Sequence, residues 1–573
     1  MSWVPENLTN AANVGVEPHI PARDAARDCL FLSLIILLSF VLYIKDLGFY
    51  SDDWMFLGLL SNSSDQSIFG LFRAVVPYTR LRPIESLYVA GPYWLFGANP
   101  LAFHLINSAV FTITILLFYL SLREVFRARA FAVAIPLVYA LLPHYSSDRF
   151  WFIAFVIPLS IGFYFLSLYS DLRACRAPQG GFWKWKICGT IAMVCSALSY
   201  EVVLPLFLIN PLVVWFRARQ IPDIHNKKAA IKVFQISLVA NLLVIVLAIA
   251  YKLLTARGDS DLFVHRMGIT EPYPQHLVRL VVGALGVNYG SYGVAFPVNV
   301  WRVLRDYPKP SVIALAIVVG LLVFFYIYRR VGSANIGFTT EKAYFRMLGV
   351  GLTVFALGYA IFLTNSQVGF TATGIKNRSA IAAAIGVAIS FVAVIGWVSW
   401  LLPSFRASRT LFAFLISSLC VGGFLINNTI AGFWTDAYRQ QREIISAVRD
   451  EFPVMEPDTT LILDGACPYS GPGIIFECYW DVGGMLKTYY RDVSLKGDMV
   501  RKNLKVEEDG LYTSIYGERK LYPYSERLVV FDVGQRKTYR LPDAESARRY
   551  FGALTSDKNK CPPGDEGYGA PIF

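Results

Sequence analysis

Long apolar runs separated by short polar breaks dominate the first three quarters of this chain, and a shorter alternation takes over after them. Apolar runs fall near 29–47, 101–121, 130–142, 150–170, 186–199, 202–216, 231–254, 311–328, 346–364, 379–402 and 409–428. A bilayer core of about 30 Å takes about 20 apolar residues per helix, so this pattern predicts about eleven membrane spans. The runs at 130–142, 186–199 and 202–216 are short and are expected to extend into their flanks. The stretch 276–300 is moderately apolar but broken by Gly and Tyr, and reads as a re-entrant or interfacial piece. After residue 429, segments such as Thr460-Leu461-Ile462-Leu463-Asp464 and Leu528-Val529-Val530-Phe531-Asp532 read as strands of a small soluble α/β or α+β domain. The expected fold is mainly α. A short N-terminal segment (1–28) leads into a polytopic bundle (29–428) with two long loops, 48–100 and 255–310, and a C-terminal soluble domain covers 429–573.

Composition agrees with this picture. Charged residues make up 16% of the 573-residue chain, whereas soluble domains carry roughly a quarter. The net charge of +12 is explained by where Lys and Arg fall. With the N-terminus in the cytoplasm, the cytoplasmic loops collect Arg123, Arg127 and Arg129, then Arg173, Arg176, Lys184 and Lys186, then Arg217, Arg219, Lys227, Lys228 and Lys232. Arg329, Arg330, Lys342 and Arg346 follow, and lastly Arg406 and Arg409. The short loops between them are poorer in cations. This positive-inside bias predicts an odd number of spans, with the C-terminal domain outside, and accounts for the charge without nucleic acid. No cleavable signal peptide is evident, so the first apolar run is expected to stay as an anchor. Eight scattered Cys suit neither a disulfide framework nor a zinc site. Cys467 and Cys478 in the outer domain form either a disulfide or two free thiols.

Five polar motifs interrupt the apolar pattern on the predicted outer side. Tyr50-Ser51-Asp52-Asp53-Trp54 follows the first span. Its paired carboxylates at a membrane boundary need water, a cation or a substrate. Either Ser51 or Asp52 caps a helix beginning near Asp53, or one Asp is a general base toward an acceptor hydroxyl. Arg80 and Arg82 suit bidentate phosphate contacts. His104 and Asn107 share one helix face three residues apart, for a substrate cavity or for interhelical hydrogen bonds. His144 and Asp148 lie in the next short outer loop, where Asp148 either lines the same cavity or caps the following span. Glu201 sits in a tight turn between two apolar helices, facing a wet cavity or capping the second. Lys376 and Arg378 make the one short outer loop with two cations, for phosphate or for lipid headgroups.

The order of these motifs resembles the GT-C membrane glycosyltransferases, a class that includes protein O-mannosyltransferases, aminoarabinose transferases and many bacterial surface-polysaccharide enzymes. Tyr50-Ser51-Asp52-Asp53-Trp54 is similar to the class's acidic first-outer-loop motif. The string Arg82-Pro83-Ile84, Phe96-Gly97-Ala98-Asn99-Pro100, Phe103-His104 and Asn107 resembles the tetratricopeptide-carrying O-mannosyltransferases, as do Pro143-His144 and Ser199-Tyr200-Glu201. The likeness covers 45–205, weakens to about 360 and recurs loosely at 365–380. Trp480-Asp481-Val482 is similar to the periplasmic ends of related bacterial enzymes. Two departures stand out: Tyr200 replaces a frequent Lys, and there are no tetratricopeptide repeats.

The resemblance implies inverting transfer of a monosaccharide from a polyprenyl-phosphate donor to a lipid, glycan or protein hydroxyl, in a bacterial plasma membrane. Asp52 or Asp53 would activate the acceptor, while Arg80, Arg82, Lys376 and Arg378 would hold the phosphate. His104, Asn107, His144, Asp148 and Glu201 would line the cavity. No cofactor is required, although adjacent Asp side chains can hold a divalent cation. Two other classes compete. A flippase for lipid-linked saccharides predicts paired repeats and polar residues along a mid-membrane path, and neither pattern is evident. An envelope-assembly subunit predicts a dispensable Asp pair.

Overall fold

The computed structural model describes residues 22–552 except 127, 176–178, 220–223, 257–268, 270, 332–339, 366–367 and 517, together with residue 561. Among the described residues, eight helices are long and apolar enough to cross a membrane: Pro100–Val125, Ile153–Ala174, Glu201–Arg219, Ala230–Ala256, Pro310–Arg330, Glu341–Thr364, Ile375–Trp400 and Phe405–Glu451. Three further predicted spans are helical but fall outside this set. Ala22–Phe40 carries Arg23, Asp24, Arg27 and Asp28 in its first turns. Gln179–Ser199 carries Lys184 and Lys186. Arg129–Leu141 has 13 residues, nearly all buried. It does not extend into its flanks, because Leu142 turns extended ahead of Pro143, as residues before proline do.

The predicted break at 276–300 is not a break in helicity. Tyr273–Leu285 passes through a π-helical run, Gly286–Val294, toward Phe296–Asp306. The glycines and tyrosines that interrupt the apolar pattern sit in that wide turn, a geometry often found near functional sites. One face of this stretch buries His276, Leu280, Asn288 and Tyr292, while Val278, Val282, Val294 and Trp301 are exposed.

The last span is part of a 47-residue helix, Phe405–Glu451. At 1.5 Å per residue this helix is about 70 Å long, roughly twice a bilayer core. The predicted boundary at 429 therefore falls inside one continuous helix, whose far half belongs to the C-terminal unit. There, Gln441 donates to the Ile475 carbonyl at 2.5 Å. The sheet behind it runs in the order Lys496–Met499, Thr460–Asp464, Ser525–Asp532, Lys537–Leu541. The first two pairings are parallel and the last antiparallel. Helix Tyr479–Tyr490 connects the first parallel pair, so the unit is α/β. The central Thr460–Asp464 strand is buried along nearly its whole length, which is why it reads as an unbroken apolar run. A separate three-stranded antiparallel sheet spans Lys505–Val506, Gly510–Ile515 and Glu518–Pro523.

The unit docks on the first loop through two glycines. Helix Asp52–Ser61 crosses Tyr479–Tyr490 so closely that a Cβ on Gly58 would lie 3.0 Å from the Gly484 carbonyl oxygen, and one on Gly484 would strike the Trp54 backbone. The expected alternatives for Cys467 and Cys478 are both corrected. Cys467 bonds Cys561, and Cys478 is a buried free thiol. Cys478 occupies the N-cap of Tyr479–Tyr490, where its sulfur accepts from the helix backbone and its own amide donates to Asp481 at 3.0 Å. That capping box turns the thiol inward.

Candidate functional site

The turn carrying the acidic pair is fixed from three sides. His104, near the start of Pro100–Val125, meets the Gly48 carbonyl at 2.8 Å through Nε2. The Tyr50 hydroxyl donates to the Trp434 carbonyl at 2.8 Å and accepts from the Gly48 amide at 3.0 Å. The Asp53 amide closes the turn onto the Tyr50 carbonyl at 3.0 Å. Within it, Ser51 adopts φ 46°, ψ −118°, a region that favours glycine and costs other residues about 1–3 kcal/mol. The Ser51 hydroxyl donates to Glu477 at 2.7 Å and accepts from the Trp480 indole at 3.1 Å. The C-terminal unit thus holds the strained residue in place.

The two aspartates have different surroundings. Asp53 is buried, accepting from the Tyr50 amide on one oxygen and the Ile153 amide on the other, both at 2.9 Å. Phe49, Leu57, Val89, Phe103 and Phe152 close around it. Burial pushes its carboxyl well above the usual range, against the pull of those amides. The Ser51 side chain makes no cap bond; the Asp53 and Trp54 amides of the first turn donate instead to the Tyr50 and Ser51 carbonyls at 3.0 and 3.1 Å. Asp52, the first residue of its helix, is half-buried.

Arg82 and Glu201 come together, but as partners of each other. The guanidinium reaches Glu201 with Nη2 at 2.6 Å and Nε at 3.1 Å, and lies 3.8 Å over the Tyr200 ring. Lys252 adds a third member, 3.1 Å from Glu201, and also donates to the Leu81 carbonyl at 2.9 Å. Arg82, expected to contact phosphate, thus already has a bidentate carboxylate partner, and Glu201, expected to face a cavity, keeps 30% side-chain exposure beside its two cations. Arg80 is exposed, and its carbonyl accepts from the Tyr251 hydroxyl at 2.7 Å.

The loops at 143–153 and 374–378 are stitched to each other. Asn377 accepts from the Ser147 amide at 3.2 Å and donates to the Ser146 hydroxyl at 2.8 Å, while the Ser147 hydroxyl donates to the Gly374 carbonyl at 2.9 Å. Asp148 lies at this seam with 0% exposure, and neither oxygen has a hydrogen-bond partner among the described residues. Burial holds its carboxyl well above the usual range, and nearby Arg378 draws it back. The Arg378 guanidinium sits 5.1 Å over Trp151, within electrostatic reach of Tyr516 as well. Lys376 is half-buried, its stem packed on Gly369. His144 bonds the Asn288 carbonyl at 3.1 Å through Nε2. Asn107 accepts from Tyr88, whose ring stacks on Phe152 at 5.3 Å.

The acidic turn is thus linked to His104 through Gly48 and to the 147–153 segment through Asp53 and Ile153; Asn107 joins that segment through Tyr88 and Phe152, and Arg378 through Trp151. Sequence reasoning missed Glu477, which accepts from Ser51, Tyr469 and Tyr516. Its signal was a lone acid in the apolar stretch Ile474-Ile475-Phe476-Glu477, a type that is rarely buried unless partnered. Among the described residues, no group of three or more His, Cys, Asp or Glu is arranged to hold a metal ion.

No protein-family model matches the chain, and no curated protein sequence matches it significantly. Similar solved structures include ArnT from Cupriavidus metallidurans bound to undecaprenyl phosphate, with 13% identity over 82% of this chain and 85% of that one, at a TM-score of 0.35. The same protein in the apo state gives 14% over 81% and 84%, with a TM-score of 0.37. The Archaeoglobus fulgidus oligosaccharyltransferase in complex with Zn and sulfate gives 14% over 81% of this chain and 61% of that one, with a TM-score of 0.37. Likeness at this level speaks to neither substrate nor residue roles.

Proposed function

We propose that this chain is an inverting membrane glycosyltransferase. It moves a monosaccharide from a polyprenyl-phosphate donor to a hydroxyl of a lipid, glycan or protein acceptor, with Asp52 as general base. The observation that carries this reading is the division of labour in the acidic pair. Asp53 is engaged by two backbone amides, whereas Asp52 is presented by a strained turn at the junction of the first loop, the 147–153 segment and the C-terminal unit. Strain of this kind persists where surrounding contacts over-determine it, and it clusters at active sites.

In the proposed step, Asp52 takes the proton of the acceptor hydroxyl as its oxygen attacks the anomeric carbon. The bond to the phosphate oxygen on the opposite face breaks, and configuration inverts. The departing phosphate gains charge, which Arg378 is placed to stabilise, with Arg80 and Lys376 as further candidates. Asp148 lies within electrostatic reach of Arg378. Asp53 faces inward to its amides, so a divalent cation bridging both aspartates would have to compete with two N–H donors. The pair does not fit such a site, and no step is routed through a metal. The bias of Lys and Arg toward alternate loops supports a cytoplasmic N-terminus and an outer C-terminal unit, and the proposed location is a bacterial plasma membrane.

The test is transfer of labelled sugar from a polyprenyl-phosphate donor pool to endogenous membrane acceptors. Asp52→Asn is expected to abolish transfer while remaining folded and inserted. Normal transfer by a folded Asp52→Asn protein would end this reading and bring the flippase or assembly alternatives forward.

A further inference from the structure

We propose that Trp480 and Tyr516 form a saccharide-binding platform for the acceptor, which makes the acceptor a glycan and not a bare lipid or polypeptide hydroxyl. This rests on the transferase reading above. The two rings stack nearly parallel, with centroids 5.9 Å apart and an interplanar angle of 18°. Tyr516 follows strand Gly510–Ile515 at the turn leading into Glu518–Pro523, with φ 51° and 42% exposure. Positive φ at such a turn ordinarily selects Gly, Asn or Asp, and a bulky residue there is a genuine outlier. A large aromatic ring is thus held at the tip of a hairpin against local preference, with Trp480 backing it.

The platform is tied to the acidic turn. Glu477 accepts from the Tyr516 hydroxyl at 3.2 Å, the Tyr469 hydroxyl at 2.7 Å and Ser51 at 2.7 Å, and the Trp480 indole donates to Ser51 at 3.1 Å. Ser51 is the residue before Asp52, so Trp480 stands one hydrogen bond, and Tyr516 two, from the turn that presents the proposed base. The buried Glu477 anchors the rings from beneath, and an exposed aromatic face with the Tyr516 and Tyr469 hydroxyls beside it suits a pyranose. The C–H face of the sugar stacks on the ring while its hydroxyls find polar partners, following the general rule of apolar walls with a few placed polar groups. The phosphate end belongs at Arg378, which lies within electrostatic reach of Tyr516.

The test uses the full-length protein in nanodiscs and oligosaccharide released by mild acid from the envelope of the producing cells. Saturation-transfer NMR reads sugar protons close to aromatic rings. Wild type is expected to bind. Tyr516→Gly removes the ring without opposing the positive φ, and is expected to weaken binding about tenfold and to raise the half-saturating acceptor concentration in the transfer assay by a similar factor. Tyr516→Phe keeps the stack and should stay within about threefold of wild type. Equal binding by wild type and Tyr516→Gly, or no binding by wild type, overturns the platform. Ring-dependent binding by a wild type that transfers no sugar leaves the platform standing and overturns the transferase reading.

Discussion

The two ends of the first helix treat buried acids in opposite ways. At its start, Asp28 is buried and saturated. Arg129 reaches it at 2.7 and 2.8 Å, Arg330 at 3.4 Å and the Tyr119 hydroxyl at 2.6 Å, and Tyr326 completes the set. Beyond its other end, Asp148 is equally buried with both oxygens unpartnered among the described residues, Asp53 has only backbone amides, and Ser51 holds a strained conformation. A saturated cluster serves architecture, pinning four helices together. An under-satisfied one costs stability, and chains tolerate that cost mainly where chemistry needs it. The contrast marks the acids around the first turn, and not Asp28, as the ones to test for a role in chemistry.

The largest effect should come from Asp52. Asp52→Asn is expected to lower sugar transfer about 10²- to 10⁴-fold, the usual contribution of a general base, with thermal unfolding in detergent unchanged. Asp28→Asn should invert that pattern. Removing one partner of a buried ion cluster costs about 3–5 kcal/mol, so unfolding should shift strongly while transfer per folded molecule persists. If Asp28→Asn instead left stability intact, the two ends would not differ as described.

Next in size is Cys467→Ser. It opens a bridge spanning 94 residues, and loss of about 2–4 kcal/mol is expected, read as a lowered unfolding temperature that matches reduced wild type. The smallest and most diagnostic effect is at Asp148, whose folded-state pKa lies above its unfolded value. Between those values the folded chain keeps a proton that the unfolded chain has released, so wild-type stability falls as pH rises through that window. Asp148→Asn should equal wild type below about pH 4. At neutral pH it should be the more stable of the two, because the amide removes the ionisation of a buried carboxyl. A variant destabilised at all pH values would place Asp148 among the structural acids.

The apolar runs were legible because membrane helices must satisfy their backbone internally and turn long apolar faces to lipid, which leaves a one-dimensional signal. All eleven runs are largely helical, and among the described residues eight of those helices meet the length and composition of a span. The site was legible as a set of motifs and not as roles. His104 looked like a cavity residue because a lone His near the outer end of an apolar helix needs a polar partner. That partner proved to be the Gly48 carbonyl, 56 positions away. Arg82 was singled out because Arg suits bidentate phosphate contacts; its carboxylate partner, Glu201, lies 119 positions away and left no local sign.

The sequence by itself determined the bundle, the presence of a small α/β or α+β unit after it and the acidic turn, since each follows from local hydropathy and local residue type. Only the tertiary structure decided which aspartate is buried against backbone amides, which cations are already paired, that Cys467 joins Cys561, and that Glu477 and Trp480 grip Ser51. Those outcomes depend on contacts 94 to 429 positions apart, whose partners are chosen by packing and burial, and neither leaves a trace in local spacing.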